Sequence, residues 1–135
     1  MWRRKSAEDE PGHRIARFGD VAVVSFLRGR YPSESEQTIE TAMTAARDAA
    51  AEDRLLVLDF GEVEWIASTA FRPLAFALKQ FRADGGKYVA TGGGPLVHTL
   101  LRFFPDLEEK DSKADAIAAL SAEARMIYGR EEGQH

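Results

Sequence analysis

The chain has no cysteine, and only three histidines and five prolines among its 135 residues. Each scarcity removes a class of explanation. Without cysteine there is neither a disulfide framework nor thiol chemistry, which suits a reducing compartment. None of His13, His98 and His135 has a His, Asp or Glu partner at metal-binding helical spacing, so no metal site and no cofactor are expected. Long hydrophobic runs are missing as well. No segment approaches the roughly 18 uninterrupted apolar residues of a membrane span, and the start, Trp2-Arg3-Arg4-Lys5-Ser6-Ala7-Glu8, lacks the apolar core of a signal peptide. A cytoplasmic protein is the expectation. Clustered positive charge is also absent: 18 Lys and Arg face 22 Asp and Glu, a net charge of −4. Nucleic acid, which selects basic surfaces, is therefore not an expected partner.

What is present suffices for one domain. The sequence is 44% hydrophobic and 30% charged, and a fold of this size buries roughly two thirds of its unfolded surface. Residues 1–12, polar and ending in Pro11-Gly12, read as a mobile N-terminal tail; 13–128 form the domain and 129–135 a C-terminal tail.

Patterning assigns an α/β class with a mixed β-sheet and about four helices. Ile15 to Phe18 and Val21 to Leu27 read as strands joined by Gly19-Asp20, a two-residue hairpin loop. A first helix follows Pro32, with Ser33 and Glu36 at capping-box spacing and Ile39, Met43, Ala46 and Ala50 facing inward. Leu55 to Phe60 is a continuous apolar run interrupted by Asp59, the mark of a central parallel strand covered on both faces. A second helix near Thr69 to Phe81 carries Phe71, Leu74, Leu78 and Phe81 and stops at Asp84-Gly85-Gly86. Lys87 to Thr91 is a further strand. Gly92-Gly93-Gly94 leads into a third helix with Pro95 at its first position, Leu96, Val97, Leu100, Leu101 and Phe104 inside, and Pro105 at its end. A last helix is capped by Ser112, with Asp115 three residues on, and runs through Ile117, Leu120, Ala124 and Ile127.

Catalytic patterns are not found, and an enzyme is not expected. The glycines at 92–94 have neither the spacing nor the Lys-Ser/Thr of a nucleotide-binding loop, so a plain strand-to-helix turn is favoured over a phosphate cradle. Ser68 lacks the Gly-x-Ser-x-Gly frame of an esterase nucleophile. It does fall where a strand gives way to a helix. Two readings follow: a helix N-cap worth about 1 kcal/mol, or a phosphorylation switch that sets nearly two negative charges beside the positive end of a helix dipole.

The frame Leu55-Val57-Leu58-Asp59-Phe60, Val63, Trp65-Ile66, Ser68-Thr69, then Gly85-Gly86-Lys87-Tyr88-Val89, then Pro95-Leu96-Val97 and Leu100-Leu101, resembles the STAS domains of anti-sigma factor antagonists. The match runs from about Ile15 to Leu120. The resemblance implies a noncatalytic interaction domain. Its partner would be a serine kinase that doubles as an anti-sigma factor, or another subunit of a STAS assembly. It also implies Ser68 as phosphoacceptor, and Ile66, Ala67, Ser68, Thr69, Ala70 and Arg72 as the partner-binding segment, with Lys79 and Arg82 at its rim. The turn departs from the family pattern Asp-Ser-Ser/Thr-Gly: Ala67 replaces the aspartate and Ala70 the glycine, with Arg72 and Pro73 following. Proline at 73 predicts a helix that starts late or bends. The alternative is a scaffold subunit of a signalling or transport assembly that works without phosphorylation.

Overall fold

In a computed structural model, residues 12–104 and 107–121 are described, apart from the side chain of His98. Both tails but for Gly12, and with them His135, Pro105, and Ala124 and Ile127 of the last expected helix, lie outside the described residues.

The hairpin forms as the sequence predicts. Strands β1 (His13–Phe18) and β2 (Val21–Phe26) pair antiparallel with Phe18 opposite Val21. Gly19 takes φ +64°, the left-handed conformation a two-residue turn needs. A two-residue strand β3 (Arg30–Tyr31) and a 3₁₀ turn at Ser33–Ser35 lead into α1 (Glu36–Ala49). The expected capping box is absent here. The 3₁₀ turn displaces the helix start to Glu36, and no side chain caps either segment. β4 (Leu55–Asp59), β5 (Trp65–Ile66), α2 (Ser68–Ala83), β6 (Lys87–Thr91), α3 (Gly94–Phe103) and β7 (Glu108–Lys110) follow, with a helix α4 over 113–121. The Ser112 cap is present: its Oγ accepts from the Asp115 backbone N–H at 3.1 Å.

The main sheet has the order β1-β2-β4-β6-β7, and every pair except β1/β2 is parallel. β4 sits in the middle, as its apolar run requires. Strand alternation sorts side chains onto two faces. Ala22, Val24, Phe26, Leu56, Leu58, Phe60, Tyr88 and Ala90 join the cluster formed with Ile39, Met43 and Ala46 of α1, Leu74, Leu78 and Phe81 of α2, and Leu96 and Leu100 of α3. Val21, Val23, Leu55, Val57 and Val89 meet Ala116 and Leu120 of α4 on the other face. None of the described helices is long and apolar enough to cross a membrane.

Pro73 lies inside α2, yet the helix starts five residues before it, so the expected late start does not occur. The apolar face of Ala70, Leu74, Ala77 and Phe81 docks the helix from its first turn and outweighs the one backbone bond that a proline cannot donate.

Candidate functional site

A polar device at the end of β4 shapes the approach to the Ser68 turn. Asp59 Oδ1 accepts from the Gly61 backbone N–H at 2.9 Å, and Oδ2 accepts from the Ser25 hydroxyl at 2.8 Å. Lys113 Nζ stands 3.8 Å from the same Oδ2, which ties α4 to this corner. Phe60 N–H donates to the Thr91 carbonyl at 2.9 Å and so closes the loop against β6.

The chain then enters a small second sheet in which β5 pairs parallel with β3, Trp65 beside Arg30 and Ile66 beside Tyr31. The Gly29 carbonyl accepts from the N–H groups of Glu64 at 2.7 Å and Trp65 at 3.1 Å, and the Tyr31 carbonyl accepts from Ala67 at 2.8 Å. Tyr31 is itself fixed. Its ring is fully buried, its hydroxyl donates to the Gly12 carbonyl at 2.6 Å, and it accepts from the Arg28 N–H at 3.1 Å. Burial holds the Tyr31 phenol above its ordinary pKa, so it stays a neutral donor. No periodicity in the sequence signals β3 and β5, because two-residue strands are too short to show any.

This pairing decides where α2 begins. The bond from Ala67 to β3 holds residue 67 extended, at φ −65° and ψ 147°, which makes it the N-cap; the first helical bond runs from Phe71 N–H to the Ala67 carbonyl at 2.9 Å. Ser68 is therefore the first helical residue, not the cap, and the cap reading of its hydroxyl is corrected. Alanine at 67 has no side-chain oxygen to offer, and no side chain caps the helix. The position where the resembling turn carries aspartate is the N-cap itself.

The candidate residues divide by exposure. Ser68 and Arg72 are exposed, and Ile66, Ala67 and Thr69 are half-buried. Ala70 is fully buried, so its side chain takes no part in a surface; its place in the Ala70, Leu74, Ala77, Phe81 stripe is the sequence signal for that. The Thr69 hydroxyl oxygen is buried with no hydrogen-bond partner, which leaves Ser68 as the outward member of the hydroxyl pair. Lys79 and Arg82 are both exposed.

Three exposed aromatic side chains that sequence reasoning missed lie before the turn, along α2 and on α3. Trp65 is 50% exposed, Phe76 65% and Phe103 56%. Phe76 continues the row Ser68, Arg72 along the outer face of α2, and Phe103 touches Phe71 with ring centroids 5.6 Å apart. Phe76 is off the period of Phe71, Leu74, Leu78 and Phe81, and that misfit is the signal that would have found it.

The second strand-to-helix turn is of another kind. Gly92 and Gly93 have φ +75° and +73°. A Cβ on Gly92 would come within 2.7 Å of the Gly61 backbone, and one on Gly93 within 2.8 Å of Phe60 Cβ. Close packing and left-handed backbone account for these glycines without a phosphate. Pro95 falls at the second helical position, because Gly93 is the N-cap and Gly94 opens α3. Among the described residues no cluster of three His, Asp or Glu could hold a metal ion, and burial in β1 lowers the pKa of His13.

No family model and no curated protein sequence matches the chain. Solved structures do. An anti-sigma factor antagonist from Mycobacterium paratuberculosis superposes with a TM-score of 0.66 at 22% identity, over 87% of this chain and 99% of that one. RsbS of Moorella thermoacetica, carrying a serine-to-glutamate substitution, gives 0.65 at 17% identity, over 84% and 97%. The Bacillus cell fate determinant SpoIIAA in its phosphorylated form gives 0.60 at 13%, over 79% and 97%. The chain has the STAS fold of these structures, a mixed α/β sheet with packed helices.

Proposed function

We propose that this chain is a noncatalytic interaction domain of the anti-sigma factor antagonist kind. It binds a serine kinase/anti-sigma factor-like protein through Ile66, Ala67, Ser68, Thr69 and Arg72 and the outer face of α2, and phosphorylation of Ser68 switches that binding. The observation that carries the reading is the exposure of Ser68 at the first position of a long helix. The small β3/β5 sheet fixes the orientation of that helix. Exposed Trp65 just before the turn, exposed Phe76 on the Ser68–Arg72 row of α2, and Phe103 against Phe71 support it, since Trp and Arg are enriched among residues that dominate binding energy. The fold neighbours lend support from outside the chain: one is described in a phosphorylated form, another carries glutamate for serine.

In the modifying step the Ser68 Oγ attacks the γ-phosphorus of a nucleoside triphosphate held by the kinase. The Oγ–P bond forms as the bond to the β,γ-bridging oxygen breaks, the hydroxyl proton passes to a base of the kinase, and the nucleoside diphosphate leaves. Calorimetric titration with the partner tests the reading. Ser68→Ala binds as wild type does, and Ser68→Glu binds at least about tenfold more weakly, since buried like or unpaired charge costs more than 1.4 kcal/mol. Equal affinity of all three removes the turn from the interface.

One observation favours a second reading, a scaffold subunit that is never phosphorylated: Ala67 leaves the turn without the carboxylate that would orient the acceptor hydroxyl or the kinase's nucleotide and metal. Incubation with active kinase and ATP, followed by intact-mass analysis, separates the two. A mass increase localised to Ser68 supports the switch, and an unmodified chain supports the scaffold.

A further inference from the structure

The geometry points to Arg72 as the positioning residue for a phosphate on Ser68: the cation that faces a partner while Ser68 is free becomes the intramolecular counter-ion once Ser68 is modified. The inference deepens the switch reading and rests on it. Four observations converge. Ser68 and Arg72 stand four residues apart in one continuous helix, whose register holds through Pro73, so their side chains are neighbours on its surface. Helical side chains lean toward the N-terminus, and Arg72 therefore covers the turn on which Ser68 sits rather than the turn beyond it. Arg72 is exposed and, among the described residues, has no hydrogen bond or ion pair of its own. No carboxylate competes for it along the helix, since the residues three and four away on either side are Thr69, Ser68, Ala75 and Phe76.

The charged groups on neighbouring elements are Glu62 and Glu64 on the loop before β5, Arg30 on β3 and Arg102 on α3, all exposed. The Glu64 carboxylate lies beside Gly29, off the helix that carries Ser68 and Arg72. Planar guanidinium is the donor suited to bind phosphate oxygens in pairs. The switch then acts twice on the same surface, adding negative charge and withdrawing the cation that a partner would meet. A glutamate at 68 reproduces this poorly, because it is shorter in charge and in acceptor oxygens.

The test needs no kinase. Phosphoserine is encoded at position 68 and the second ionisation of the phosphate is followed by phosphorus NMR in the full chain, in wild type, Arg72→Gln and Arg72→Lys. The helix dipole acts equally in all three, so the difference isolates the side chain. The midpoint in wild type is expected about half a pH unit or more below that of Arg72→Gln, with Arg72→Lys between them. Coincident midpoints in wild type and Arg72→Gln overturn the inference, and so does Arg72→Lys matching Arg72→Gln. Circular dichroism confirms that each variant is folded. If a kinase leaves Ser68 unmodified, the switch reading fails while these midpoints still report on Arg72.

Discussion

Two turns carry the chain from the carboxyl ends of parallel or nearly parallel strands into helices, and they solve the same problem in opposite ways. At residues 92–94 the turn is all glycine, pressed against Phe60 and Gly61, with positive φ at Gly92 and Gly93. At residues 67–70 there is no glycine, the cap is an alanine, and the first helical side chain is a hydroxyl open to solvent. Neither helix has a side-chain cap. The glycine turn leaves no room for a Cβ at 92 or 93 beside Gly61 and Phe60. The alanine-serine turn is held from behind, by β3 and the buried Tyr31, so its outer side stays available. The sequence feature that most resembles a ligand site is thus the structural one, and the plainer hydroxyl occupies the accessible place.

The sharpest break in this comparison comes from Gly92→Ala. The added methyl meets backbone atoms at 2.7 Å in a left-handed conformation, and a loss of about 3 kcal/mol is expected in denaturant unfolding. A loss under about 0.5 kcal/mol, the range of neutral surface changes, would mean the turn is looser than it stands here. A smaller effect of opposite sign is expected from Ala67→Asp. A carboxylate at the N-cap supplies the missing acceptor beside the positive helix end, and a gain of about 1 kcal/mol should appear as a higher denaturation midpoint with unchanged slope. The smallest effect belongs to Ser68→Ala. Because Ser68 is not the cap and its side chain is exposed, stability should stay within about 0.5 kcal/mol of wild type, so any loss of binding in that variant would have to come from the interface.

Most of the fold was legible because long elements repeat their signal. The stripe of Ile39, Met43 and Ala46, the run Leu55–Leu58 and the stripe of Phe71, Leu74, Leu78 and Phe81 all lie where periodicity puts them, and the Ser112 cap forms. The failures share a cause. Ser33 and Ser68 both looked like caps, yet each was displaced by a neighbour: a 3₁₀ turn before α1, and pairing with β3 before α2. A shift of two residues before α1 and of one before α2 is invisible to propensity and decisive for a hydroxyl. β7 and the β3/β5 pair are too short to carry a period, and Phe76 showed only as a residue out of step.

Periodicity, charge balance and the hydroxyl-bearing turn were settled by covalent order alone, since they need only the 3.6- and 2-residue repeats and a count of charges. Tertiary structure decided which oxygen faces water and which is enclosed, for Ser68 and Thr69 are adjacent in the chain and part company only when the helix docks. The reason is geometric: a helix turns its neighbours 100° apart, and the strand pairing that fixes its first residue joins segments more than thirty residues distant in the chain, Arg30–Tyr31 with Trp65–Ile66.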